Sequence, residues 1–159
     1  MTTSDIYRIG PLKAIILFIV IDVFCMGVGM GVPIFNIAFG FVVGWFLVKW
    51  ISAGPAGSTD ILERLLIYSG ASAGITFLGM LLLWGWWATS VYEAQAEFAR
   101  TGIPMILFEP RASFVAWLVL MIVVSPVLQL LTTTFAGLLG LISLNRHKRV
   151  IQGQTSTLP

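Results

Sequence analysis

Four stretches of this chain are almost wholly apolar: Leu12–Met30, Pro33–Trp50, Leu65–Ala88 and Phe114–Ser143. A helix needs about 20 residues to cross the hydrocarbon core of a bilayer, and each stretch has roughly that length. Inside that core every backbone N–H and C=O must be paired within a closed structure, so the stretches are expected to be helices rather than strands. Composition agrees. The 159 residues are 58% hydrophobic and 10% charged, whereas soluble domains are about one-quarter charged. A small domain cannot hide that much apolar surface from water. The expected fold is an all-α integral membrane protein with four transmembrane helices in one domain over residues 1–145. Residues 146–159 read as a basic, disordered cytoplasmic tail, since the sequence beyond Val150 is polar and aperiodic.

Helices one and two are separated only by GMGVP, Gly29–Pro33. One helix across both runs would be far too long to span. Glycine permits a turn and Pro33 suits the start of a new helix, so a tight hairpin is expected. The next connection, SAGPAGSTD, ends in Asp60-Ile-Leu-Glu63. That pattern fits an N-cap with a carboxylate three residues on. It lacks the lysine and spacing of a phosphate-binding loop. A cleaved leader is disfavoured: Asp22 interrupts the first apolar run and no A-x-A site follows.

Orientation follows from the basic residues. Arg8, Lys13, Lys49, Arg64, Arg146, Lys148 and Arg149 fall on one side of a four-helix threading, and only Arg100 and Arg111 on the other. The positive-inside rule then places both termini in the cytoplasm, with the protein in the plasma (inner) membrane. Trp84, Trp86, Trp87 and Trp117 would mark the outer interface, and Trp45, Trp50 and Tyr68 the inner one. The outer loop Thr89–Ala112 begins with VYEAQAEFAR, where Val91, Ala94 and Phe98 form an apolar edge and Glu93, Glu97 and Arg100 a polar one. A surface amphipathic helix is expected there. IPMILF follows, residues 103–108, and reads as a loop packed over helix ends in preference to a re-entrant segment.

The one acidic residue inside a span is Asp22, about ten residues into helix one and so roughly 15 Å deep. An ionised carboxylate at that depth costs about 2.5 to 3.5 kcal/mol on insertion scales. It must therefore face the bundle, find partners, or hold a proton. Thr76 and Gln129 lie at similar depth on helices three and four. Helical spacing extends each site into a stripe: Phe18, Asp22, Cys25, Met26 and Gly29; Ser69, Ser72, Thr76 and Gly79; Ser125, Gln129, Thr132 and Ala136. The candidate intramembrane cluster is Asp22, Thr76, Gln129, Ser72, Ser125 and Thr132. Pro126 is expected to kink helix four beside Gln129. Asn36, Gly40 and Gly44 on helix two, and Gly70 and Gly74 on helix three, are candidate close-packing positions, either within the bundle or against another copy; Gly27 and Gly31 match the same spacing.

Other chemistry finds less support. Cys25, Met26 and Met30 suggest a soft copper(I) site only weakly, and ordinary packing is the better reading. No metal or cofactor is expected. A single cysteine allows no internal disulfide. The formal charge of +2 carries no basic, aromatic-interleaved patch for nucleic acid. Arg146, Lys148 and Arg149 suit anionic lipid head groups. Expected partners are the bilayer and either further copies or other membrane subunits. Three functions remain, in order: a non-catalytic subunit or helper of a membrane protein complex; an oligomeric proton or cation carrier or channel using Asp22; and a lipid-active enzyme using Glu93, Glu97, Glu109, Arg100 and Arg111.

Overall fold

The computed structural model describes residues 10–28, 34–53, 58–101 and 105–155. Among them every regular element is helical. The order is α1 (Pro11–Val28), α2 (Ile34–Ser52), α3 (Ser58–Trp84), a 3₁₀ helix (Gly85–Glu93), α4 (Ala94–Thr101), α5 (Pro110–Val119), a π-turn (Leu120–Val124) and α6 (Ser125–Thr155). Four helical segments are long and apolar enough to cross a membrane: Pro11–Val28, Ile34–Ser52, Asp60–Arg100 and Pro110–Arg146. The expected hairpin at Gly29–Pro33, the Gly31 and Met30 positions, and Ile103 and Pro104 lie outside the described residues.

One helix limit differs from expectation. Asp60 is not an N-cap: α3 begins at Ser58, and Asp60 sits inside its first turn. Its carboxylate still favours the helix there, near the partial positive charge of the N-terminus. The early start has a packing reason, because Ile61 and Leu65 are buried against Val48 and Ile51 of α2. At the other end α6 runs on to Thr155.

The fourth span is built from α5, the π-turn and α6 in one run. Glu109 caps α5, its side chain accepting from the Ala112 N–H, and Pro110 occupies the first turn, where its missing N–H costs nothing. Pro126 can offer no N–H to the ladder, and its ring crowds the carbonyl four residues back. The chain answers with the π-turn just before it. The Ser125 N–H reaches back five residues to the Leu120 carbonyl. Single π-turns of this kind accommodate one additional residue without ending a helix.

The tightest joint is between α2 and α6, which run parallel. A Cβ built on Gly40 would lie 2.8 Å from the Gln129 carbonyl oxygen and collide with the Thr132 hydroxyl. One on Gly44 would collide with the Thr133 carbonyl and lie 2.9 Å from the Gly137 nitrogen. Further along, Val48 and Trp45 pack at Gly140. Thr132 Oγ1 also donates to the Ile37 carbonyl across the joint, at 3.0 Å. Gly40 and Gly44 are thus used inside the chain, not against a second copy. Gly70 and Gly74, grouped with them from sequence as packing positions, are not filled by this chain's own helices. They lie on the exposed side of α3, and an added Cβ at either meets nothing within 4 Å.

At its capped end the fourth span packs against the connection between α3 and α5. Ala94 and Phe98 of α4 are buried on Phe114 of α5, with Trp87, Val91 and Trp117 around them. This is the apolar edge expected of VYEAQAEFAR, although its first three residues are 3₁₀ rather than α. The following Met105–Phe108 stretch is non-helical and its side chains are exposed, so it does not cover the helix ends. Its backbone is tied down by Ser113, whose hydroxyl accepts from the Ile106 N–H at 2.7 Å.

Gly44→Ala is expected to destabilise the bundle by about 1–3 kcal/mol, the usual range for overpacking. Gly74→Ala should leave stability level or slightly raised. Thermal unfolding in detergent, followed by circular dichroism, separates the two; equal melting would contradict the packing described.

Candidate functional site

Asp22 points into the bundle and is 1% exposed. It is one of two buried residues on α1, the other being Met26. Only 11% of the apolar span of α1 is buried, against 44% for α2, so these two side chains are the principal inward anchors of that helix. Thr76 of α3 donates its hydroxyl to Asp22 Oδ2 at 2.8 Å. Gln129 of α6 directs Nε2 toward Oδ1 at 3.4 Å, at the outer limit of a hydrogen bond. Three helices therefore meet at one carboxyl group.

The remaining predicted members do not join this contact. Ser72 is buried one turn away and donates to its own helix, to the Ser69 carbonyl at 2.9 Å. Thr76 Oγ1 also lies 3.1 Å from the Ser72 carbonyl, but a hydroxyl has one proton and the carboxyl oxygen is nearer. Thr132 turns to α2, as described above. Ser125 is fully buried, and its Oγ has no partner among the described residues. Asn36 is buried one turn before Gly40, with Nδ2 unpartnered.

Thr133 was not anticipated. It is fully buried and its Oγ1 lacks a partner. Thr132 and Thr133 stand three and four residues after Gln129, so both spacings put a hydroxyl on that face. The run Thr132-Thr133-Thr134 leaves the choice open in sequence. Gln129 Oε1 is also buried without a partner. Along one side of α6, Ser125, Gln129 and Thr133 thus present three unanswered polar atoms at successive turns of the buried interior, and of the three Gln129 reaches Asp22. Buried polar groups are usually paired, and each orphan costs about 1–3 kcal/mol.

The electrostatics are simple. No Lys or Arg occurs between residues 14 and 48, 65 and 99, or 112 and 145. The partners of Asp22 are neutral dipoles, not a counter-charge. Two arrangements of hydrogens suit the site. An ionised carboxylate accepts from both Thr76 and the Gln129 amide. A neutral carboxyl accepts from Thr76 and donates from Oδ1, once a half-turn of the amide presents Oε1 instead of Nε2. The second arrangement also gives Oε1 its missing partner. The site can hold a proton with little movement of heavy atoms.

Met26, one turn beyond Asp22, packs with Met80 and Met121 against Trp84 and Trp117. Gly79 leaves room for it: an added Cβ there would lie 2.8 Å from the Met26 methyl. Cys25 is half-buried and its thiol is free. The charges of the connection between α3 and α5 make contacts within the chain. Arg100 holds Glu97 at 2.7 and 3.0 Å, and Arg111 lies over the Tyr92 ring at 5.7 Å. Arg146 is exposed; Lys148 and Arg149 lie on α6 with side chains outside the described residues. No known protein family, no curated protein and no solved structure matches the chain.

If the carboxyl joins α1 to α3, Asp22→Ala and Thr76→Val should each destabilise. Their double variant should lose less than the sum, with a coupling of about 0.5–1.5 kcal/mol for one interhelical hydrogen bond. A double-mutant cycle on unfolding in detergent measures this; strict additivity would show that the contact contributes nothing.

Proposed function

We propose that the protein is a non-catalytic subunit or helper of a membrane protein complex. It sits in the plasma (inner) membrane as four transmembrane helices with both termini cytoplasmic. The parallel run of α2 and α6 supports that threading, since the second and fourth passes of an up-and-down bundle must run the same way. The basic residues Lys13, Lys49, Arg64 and Arg146 gather at one end, which the positive-inside rule places in the cytoplasm.

The observation that carries the partner reading is the contrast between two identical motifs. Gly40 and Gly44 are filled by α6. Gly70 and Gly74 lie open on α3, between the exposed apolar side chains of Leu66, Ile67, Phe77 and Leu78. Small residues spaced by four let two helix backbones approach closely in lipid, where no hydrophobic force drives association. An unfilled notch of this kind suits a helix from another chain. The polar groups midway along the helices meanwhile face inward, where they join the chain's own helices.

The test is the mass and composition of the complex released by gentle extraction from native membranes. Foreign chains in fixed ratio are expected. The double variant Gly70→Ile/Gly74→Ile should keep its melting temperature, because both sites are open, and lose those chains. A wild-type protein that emerges as a monomer or homo-oligomer would end the helper reading.

A second reading has its own support. The unpartnered Ser125 Oγ, Gln129 Oε1 and Thr133 Oγ1 at successive turns of α6, with Gln129 reaching Asp22, suit a proton or cation passing through an oligomer. In that case Asp22→Asn in liposomes abolishes flux while the fold survives. Unchanged, pH-independent flux in Asp22→Asn would count against a titrating carboxyl.

A further inference from the structure

A cavity of about 360 Å³ lies between the first half of α1 and the helices α2 and α3. Its walls include Phe18 and Ile21 of α1, Phe46 and Trp50 of α2, and Ala71 and Ile75 of α3. It opens sideways past Ile15 and Val42, which are 49% and 63% exposed. Along α1 it runs from Pro11 to Ile21, roughly 15 Å at 1.5 Å per residue, or half the ~30 Å hydrocarbon core. It stops at the polar joint, since Ile21 and Ile75 are the sequence neighbours of Asp22 and Thr76. The cavity is therefore one leaflet deep, apolar, and roofed by the Asp22 contact.

Small organic ligands occupy pockets of about 300–1,000 Å³, and an extended hydrocarbon chain has the right section and length. The mouth names the rest of the occupant. Tyr68, Ala71 and Ile75 line the cavity. Arg64 stands on the same stripe of α3, one turn nearer the basic end, and is exposed. Lys13 is exposed on α1 beside Pro11 and Ala14, which line the same end. Trp50 and Tyr68 meet edge to face there, centroids 5.5 Å apart, as interfacial aromatics do at head-group level.

We propose that this cavity binds one acyl chain of an anionic phospholipid, with its head group held at Arg64 and Lys13. The inference rests on the membrane reading above but not on the partner at Gly70 and Gly74. Lipid occupies the α1–α2–α3 cleft on the basic half of the bundle, and the complex survives or fails separately.

Native mass spectrometry of the full chain, exchanged with phosphatidylglycerol or phosphatidylcholine in detergent, tests it. One phosphatidylglycerol per copy is expected, bound more tightly than phosphatidylcholine. Arg64→Gln should weaken phosphatidylglycerol about fivefold, the worth of one basic residue beside an anionic surface, and leave phosphatidylcholine unchanged. Ala14→Trp and, independently, Val42→Trp should fill the cleft from opposite walls and remove bound lipid. Val42 is mostly exposed, so the second variant folds even if the first does not. Equal retention of the two lipids, insensitivity to Arg64→Gln, or lipid undiminished in Val42→Trp overturns the proposal. So does a second polypeptide displaced from the cleft in place of lipid. Recovery of the chain from the aqueous fraction would instead overturn the membrane reading itself.

Discussion

The near-contact of the α2 and α6 backbones is the interaction on which the other helices depend. It exists because Gly40 and Gly44 carry no side chain where Thr132, Thr133 and Gly137 come closest. Once those two helices are fixed, Gln129 has a set height and direction, and so does the groove into which α1 and α3 bring Asp22 and Thr76. In a bilayer, the setting proposed for these helices, apolar side chains alone would not impose this register, because leucine gains nothing by leaving lipid for another helix. Close packing and a few directed hydrogen bonds must do so.

Asp22 then has a defined position in the hierarchy. It is added to a joint already made, and ties the least buried helix to two others. That explains why a chain so short of charge keeps a buried carboxyl. It also explains why the carboxyl has amide and hydroxyl partners and not a lysine: a neutral or singly charged group among dipoles can hold or release a proton without stranding a counter-ion. A structural tie and a proton site are consequently not opposed roles for this residue.

Much of this was legible in the residues. Four apolar runs gave the helices, and counting depth along them brought Asp22, Thr76 and Gln129 together. The failures share one cause. Spacing assigns residues to a face but does not say which face turns inward. Gly40-x-x-x-Gly44 and Gly70-x-x-x-Gly74 are the same motif, and only the packing of α6 distinguishes them. Thr132 and Thr133 differ by about 100° around the helix, and the choice between them depends on where α2 lies. Ser113 showed no signal at all, because a serine near a helix start has many uses and its loop partner is irregular. Pro126 announced a disturbance in the fourth span but not its form.

That disturbance has a consequence for how the chain can vary. The π-turn at Leu120–Val124 acts as one residue inserted into a regular helix, so everything after it is turned by about 100° relative to an unbroken rod. The same rod can therefore offer Phe114 and Met121 to one set of neighbours and Gln129, Thr133 and Gly137 to another. The length of the segment from Pro110 to Ser125 becomes a form of gearing. Loss of a single residue there would rotate the whole α6 face away from the glycines of α2, though every side chain in it remained the same.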